Sequence, residues 1–436
     1  MVVMFKRTLE LSLVKWKNDS VHKPIILRGA RQVGKTSMVR QFGKKNFRQL
    51  IEINLENQAQ RKVFQGVLDI EDFERRLALV RGERMETGKL LFIDEIQELR
   101  EMMELLRFFA EERPGWHVIV TGSLLEAKMG GKWSVPVGRV DYRSLFPLTF
   151  FEFLGAMGKD KLLLDLQSLK MGEKYPYHDL AKQVFGQYVL LGGMPEVIAN
   201  FAEKQDYGRA REVLQRLQIG YVDDVAKYTK NEQEKKYLEA VVTNGAREGG
   251  KIFRYENFAG TDFHSREMSS AVARVEKTML CHQVAVINST ILPMNLKLRR
   301  PKKMIWLDIG LVNLVNEYYG EIIQGDYSGR VMEQVVGQAL LADLSSTFNQ
   351  LVYFARDRDE SSAEVDFCFI NNSKLVAMEV KAGKTTTSRS LRGLMKDPLS
   401  EIVPVLVSWQ ELGIDRGMIK IPFYLLARWR EFIGRN

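Results

Sequence analysis

Apolar residues along this chain recur in two ways: short unbroken runs, and stretches in which they return every three or four positions. Residues 24–28, 89–93 and 116–120 are of the first kind and read as buried parallel strands. A helical pattern follows the first run as far as Phe42, and Leu99, Met103 and Leu106 keep helical spacing after the second. From about 150 to 230 the pattern is mostly helical, with Leu162, Leu163, Leu166, Val213, Leu214 and Leu217 at core spacing. Helices are predicted again over 235–247, 255–260 and 265–280, the last carrying Met268, Ala271, Val272, Val275 and Met279 on one face. Strands at 283–291 and 295–298 follow, which makes three helices and then a hairpin. Near the end, 364–370 and 375–381 alternate around the turn residues 371–374 and predict a second hairpin, preceded by a helical run over 331–341.

With 436 residues, the chain has room for about three domains at roughly 150 residues each. Its 45% hydrophobic and 27% charged residues exclude collagen-like and wholly disordered readings. No run approaches the ~18 apolar residues of a membrane helix, so no membrane partner is expected. Lys6, Arg7, Lys15 and Lys17 interrupt what would be a leader's apolar core, so the first residues are expected to form a helix of the mature chain. Cys281 and Cys368 stand far apart without neighbouring His clusters, which argues against a disulfide framework or a zinc site and makes the cytoplasm the expected compartment. A net charge of +9 makes an anionic partner plausible without identifying one.

Chemistry enters at Gly29-Ala30-Arg31-Gln32-Val33-Gly34-Lys35-Thr36-Ser37, a GxxxxGK[ST] loop between a strand and a helix. The glycines let successive N–H groups turn inward as an anion nest at a helix N-terminus. Lys35 would reach the β and γ phosphates of ATP, and Thr36 would offer its hydroxyl to Mg2+. The run 89–93 ends in Asp94 and Glu95; Asp94 would hold magnesium through water, and Glu95 would orient or deprotonate the attacking water. The bland alternative for Glu95 is the acidic first turn of the next helix. Thr121 and Ser123, at the end of the third run, are candidate γ-phosphate sensors or else turn and N-cap residues. Arg139 is a candidate arginine finger, although a salt bridge would leave the same trace in sequence.

The loop, LLFIDEIQ, the TGS strand end, GRVDYRSLFPLTFFEF and Gly192-Gly193-Met194-Pro195-Glu196-Val197 together resemble a large group of bacterial and archaeal AAA+-like ATPases. That resemblance covers most of the chain. It implies an α/β fold: a P-loop ATPase core with a five-stranded parallel sheet over 1–150, its loop strand in the interior. A helical lid and connector over 151–230, a winged helix over 231–302 and a restriction-endonuclease-like α/β domain over 303–436 would follow. The basic residues Arg254, His264, Arg266, Arg274 and Lys277, with Lys297, Arg299, Arg300, Lys302 and Lys303 nearby, would contact DNA phosphates, or would be the solvated face of a protein-packing module.

A loop of either Asn372-Ser373 or 371–374 in the last hairpin sets Val365 opposite Val380, Phe367 opposite Met378 and Phe369 opposite Val376 on an apolar face, with Asp366 opposite Glu379 and Glu364 opposite Lys381 on the other. Two carboxylates 4 Å apart repel by about 4 kcal/mol at an effective dielectric of 20, and a divalent cation reverses that sign. The order Asp366, Glu379, Lys381 resembles the PD-(D/E)xK nuclease motif, with Lys381 as its catalytic lysine; Glu333 matches that motif's additional acid and would join a second metal site. The alternatives are a nuclease-shaped domain without activity and an ordinary charged hairpin. Asp308 is expected to be an N-cap. The resulting expectation is an ATPase coupled to DNA. Its rival is an ATP-gated signalling or scaffold protein, with protein partners or a homo-oligomer, in which case Arg139 could act in trans.

Overall fold

The computed structural model describes residues 5–82, 84–122, 138–226, 229, 231–319, 326–345, 350–356, 363–383, 388–397 and 400–434, with only the backbone at 226, 326 and 327. The chain forms two compact units, Met1–Phe146 and Pro147–Asn436. Three of the four segments expected from sequence therefore share the second unit.

The first unit runs α1 (Leu9–Asn18), β1 (Ile25–Arg28), α2 (Lys35–Asn46), β2 (Gln49–Asn54), α3 (Gln58–Phe64), α4 (Ile70–Arg81), β3 (Lys89–Asp94), α5 (Arg100–Glu112), β4 (His117–Thr121) and β5 (Asp141–Ser144). Its sheet has the order β2-β3-β4-β1-β5, and every pair is parallel. The strand before the loop thus lies inside the sheet, as the resemblance implied. All six residues of β3 are buried, which is why its sequence is an apolar run rather than an alternation. On one side of the sheet, Ile26, Ile51, Ile93 and Val120 pack with Phe73, Met102, Leu106 and Phe109 from α4 and α5.

Helices dominate the start of the second unit: α6 (Phe150–Ala156), α7 (Asp160–Ser168), α8 (His178–Leu191), α9 (Pro195–Lys204), α10 (Tyr207–Ala226) and α11 (Glu232–Asn244). Next come β6 (Lys251–Phe253), α12 (Ser265–Lys277), β7 (Cys281–Ile287), β8 (Lys302–Trp306), α13 (Ile309–Val315) and α14 (Asp326–Leu344). The remainder is β9 (Val352–Ala355), β10 (Glu364–Asn371), β11 (Lys374–Lys381), α15 (Arg389–Met395), β12 (Ile402–Ser408), β13 (Gly413–Asp415), β14 (Met418–Pro422) and α16 (Trp429–Ile433).

One nine-stranded sheet, β13-β14-β12-β11-β10-β9-β7-β8-β6, runs through this unit. It removes the break expected at 302–303, because β7 pairs antiparallel with β8 on one edge and parallel with β9 on the other. The strand expected at 295–298 is absent; only an isolated bridge, Ile287 to Leu296, occurs there. The partner of β7 is instead β8, whose Met304, Ile305 and Trp306 are buried and supply the apolar surface that 295–298 lacks.

The last hairpin pairs as expected from Phe367–Met378 to Asn371–Lys374, closed by Asn372 and Ser373, both with positive φ as a two-residue turn requires. Two features differ from the expectation. Neither face is solvated, because β10 and β11 lie inside the sheet with α14 across β11 and α15 against β10. A bulge between Val365 and Cys368 also breaks the β9–β10 register. Instead of simply facing Glu379, Asp366 turns so that its Oδ2 accepts the N–H of Val380 at 2.8 Å.

Candidate functional site

The loop of residues 29–36 leaves β1 and enters α2 through Gly34, whose φ of 95° and ψ of 22° suit glycine. A Cβ at Gly29 would stand 2.5 Å from the carbonyl oxygen of Leu145, so β5 closes that side of the loop to any side chain. Ala30 and Val33 are buried, Gln32 has φ 64°, and Arg31 and Ser37 are partly exposed. Lys35 is buried and donates to the carbonyls of Gly29 at 2.8 Å and Ala30 at 2.9 Å. Burial pushes its ammonium down to about 8, against the opposing pull of Glu95 and Asp94.

Asp94, at the end of β3, links the loop to β4. Thr36 donates to its Oδ2 at 2.8 Å, and Thr121 donates to its Oδ1. Glu95 follows with φ 53° and starts a 3-10 turn, Ile96–Glu98; α5 begins only at Arg100. Glu95 is thus not a residue of the α5 first turn. Its Oε2 accepts from Gln97. The glycine-containing loop, the Lys35 ammonium and Thr36 hydroxyl at the start of α2, and the Asp94 carboxylate at the end of β3 make a donor set that fits a Mg-triphosphate. Ser123 lies outside the described residues. Arg139 forms an ion pair with Glu111 of α5 at 2.7 Å, with half of its side chain exposed. Arg7, read from sequence only as a charge that interrupts an apolar leader, is buried and donates to the carbonyls of Val33 at 3.1 Å and Phe146. It bolts the N-terminal segment to the phosphate loop, and nothing in its local sequence distinguishes it from the solvated basic residues around it.

In the second unit Glu333, Asp366, Glu379 and Lys381 are brought together, but a further residue stands among them. Lys303, read from sequence as a phosphate-contacting residue, is 1% exposed. Its ammonium donates to Glu333 Oε2 at 2.8 Å and Asp366 Oδ1 at 3.1 Å. Lys381 pairs with Glu379 at 2.6 Å. Burial, then the neighbouring Asp366, raises Glu333 to about 8 and Glu379 to about 7. Among the described residues no three His, Cys, Asp or Glu side chains converge closely enough to hold a metal.

The basic candidates around α12 divide in the same way. Arg274 pairs with Glu234, His264 with Glu256, and Arg300 donates to the carbonyls of Ala355 and Arg356. Arg254, Arg266, Lys277 and Arg299 are exposed.

The segments PLTFFEF and GGMPEV, which carry the resemblance without declaring chemistry, hold structural contacts. Thr149 and Glu152 form a capping box at α6. Gly193 lies so close to Leu148 that a Cβ would meet its carbonyl oxygen at 2.1 Å. Asp308, as expected, caps α13 through the Gly310 N–H at 2.9 Å, and it also accepts the Gly193 N–H at 2.7 Å.

Residues 21–154 match the family model of an AAA domain, to which the parallel α/β sheet and phosphate loop of the first unit are thus similar. Residues 182–318 and 328–422 match two domains of unknown function, DUF8612 and DUF4143. Among solved structures, the chain is similar to the Thermotoga maritima RuvB Holliday junction branch migration motor, with 16% identity, 64% of this chain and 87% of that chain covered, and a TM-score of 0.31. Drosophila ORC bound to DNA gives 16% identity, 61% and 65% coverage and 0.26; C. elegans PCH-2 gives 14%, 45% and 57%, and 0.22. No protein of curated function matches the sequence. No helix among the described residues is long and apolar enough to cross a membrane.

Proposed function

We propose that the first unit binds and hydrolyses Mg-ATP and that this cycle controls how the second unit engages DNA. The observation that carries the first half is the chain Thr36–Asp94–Thr121 lying beside the buried Lys35. In this reading, Lys35 leaves the carbonyls of Gly29 and Ala30 for the β and γ phosphates, and Thr36 and Asp94 hold magnesium, which supplies positive charge against the phosphate oxygens. Glu95 orients the attacking water and takes up its proton, and Thr121 senses the state of Asp94. Lys35→Ala should weaken ATP binding at least tenfold, whereas Glu95→Gln should keep binding and lower turnover 10²-fold or more. Unchanged hydrolysis in Glu95→Gln would remove that residue's role.

For the second unit, the order α11, β6, α12, β7, β8, with β6 and β7 both pairing with β8, supports a winged-helix reading. Its exposed Arg254, Arg266, Lys277 and Arg299 are the phosphate contacts proposed. Four such contacts give a slope of roughly −3.6 for log K against log salt on duplex DNA. Absence of binding at low salt would end this half.

The order Asp366, Glu379, Lys381 supports a nuclease-like tail with a second divalent metal. The buried Lys303 and the paired state of Arg274, His264 and Arg300 favour the other reading, a tail without chemistry whose partners are proteins. A DNA cleavage assay with Mg2+ or Mn2+, with Glu379→Ala as control, separates the two.

A further inference from the structure

Lys303 is 1% exposed, and its Nζ is held by three oxygens: Glu333 Oε2 at 2.8 Å, Asp366 Oδ1 at 3.1 Å and the Asp366 carbonyl at 3.4 Å. Glu364 approaches to 4.0 Å. An ammonium has three N–H donors, and all three are met. Beside it, Glu379 is 5% exposed; its Oε1 takes Lys381, while its buried Oε2 has no hydrogen-bond partner among the described residues. Carboxylate and carbonyl oxygens arranged around one positive point, next to an idle buried carboxylate oxygen, make the donor set of a hard divalent cation.

We propose that this cluster is a divalent-cation site of the Mg2+/Mn2+ class whose centre is filled by the side chain of Lys303, so that the unaltered chain binds no metal there and cleaves no phosphodiester. The distances fit an ammonium: magnesium needs oxygens at about 2.0–2.1 Å, so the oxygens around Nζ stand too far out for a metal as they are. The charge count explains why the cluster would accept one once space opens. Among the described residues Glu333, Glu364 and Asp366 face Lys303, and Glu379 faces Lys381; loss of Lys303 would leave these four carboxylates, Asp366 and Glu379 buried, against one ammonium. Buried charge without a partner is costly, and a small divalent ion is the remedy the oxygens allow. The bulge in β10 contributes by re-aiming Asp366, which uses Oδ2 on the Val380 N–H and leaves Oδ1 for the cation. This inference concerns the second unit alone and does not rest on ATP hydrolysis.

Mn2+ titration of the nucleotide-free full-length chain, followed through the electron paramagnetic resonance of the free ion, tests it; the readout is the binding that Glu379→Gln abolishes. The wild-type chain should have none. Lys303→Ala vacates the ammonium's space and should gain one such site, bound at least tenfold more tightly than by Lys303→Met, which removes the charge but keeps the volume. Mn2+ should also raise the melting temperature of Lys303→Ala, reversibly with EDTA, and leave that of the wild type unchanged. Lys303→Ala/Glu333→Gln carries less unpaired charge, guards against a folding failure, and should still bind Mn2+ through Asp366 and Glu379. A Glu379-dependent Mn2+ site in the wild type would overturn the proposal. So would the failure of both Lys303→Ala variants to gain Mn2+ binding or Mn2+-dependent folding.

Discussion

Asp308 is 0% exposed, and its carboxylate accepts N–H groups from the distant Gly193 at 2.7 Å and from Gly310, two residues along the chain, at 2.9 Å. Replacing it with Ala leaves both donors without an acceptor, in a place where a Cβ on either glycine would already meet backbone. At about 1–3 kcal/mol for each buried orphan donor, the loss is roughly 2–6 kcal/mol, a large part of the ~5–15 kcal/mol that holds a domain together. Urea unfolding followed by tryptophan fluorescence at pH 7 measures it. A loss below ~0.5 kcal/mol with unchanged m would refute the argument. The pH dependence is a sharper test. Burial raises Asp308 to about 6, against the opposing N–H donors. Between about 4 and 6 the native state therefore binds more protons than the unfolded state, and this group's contribution to stability is full below pH ~4 and lost as pH rises through ~6. The shift from 3.8 to about 6 corresponds to about 3 kcal/mol. The stability gap between wild type and Asp308→Ala should therefore widen by about that much from pH 7 to pH 4. A gap that narrows on acidification would mean that the N–H donors outweigh burial.

Further predictions concern the first unit and the packing of the second. ATP affinity should fall about tenfold per pH unit above about 8, because burial holds Lys35 near that value until the phosphates charge it; fluorescent-nucleotide titrations from pH 7 to 9.5 check this, and a flat profile refutes it. Thr121→Val deprives the buried Asp94 Oδ1 of a hydroxyl and should cost about 1.5–3 kcal/mol in urea unfolding. Arg139→Ala breaks an exposed ion pair, so stability should change by less than ~1 kcal/mol and turnover by less than about twofold; a 10³-fold loss of turnover would assign the finger role instead. Gly193→Ala would drive a methyl into the Leu148 carbonyl and should prevent accumulation of soluble protein, as read by expression and gel filtration.

The parts of this protein legible in its sequence are those in which neighbours along the chain do the work. The phosphate loop is a continuous stretch whose glycines, lysine and threonine act within one turn of backbone, and β3 is buried on both faces and so shows itself as an unbroken apolar run. The register of the last hairpin between Phe367–Met378 and Asn371–Lys374 is also readable, because a loop of two or four residues about the same centre gives one pairing; the pairs expected beyond Phe367 are not in the ladder. What tertiary structure alone decided is which charges remain in water. Lys303 and Lys302 are adjacent in a basic stretch, yet one is sealed against Glu333 and Asp366 while its neighbour is partly exposed, because β8 is buried from Lys303 to Trp306 and α14 and β10 set carboxylates beside that ammonium. The bulge that turns Asp366 toward Val380, and the edge of β7 that recruits β9 to merge two expected domains into one sheet, likewise depend on contacts between distant residues, and no local pattern records them.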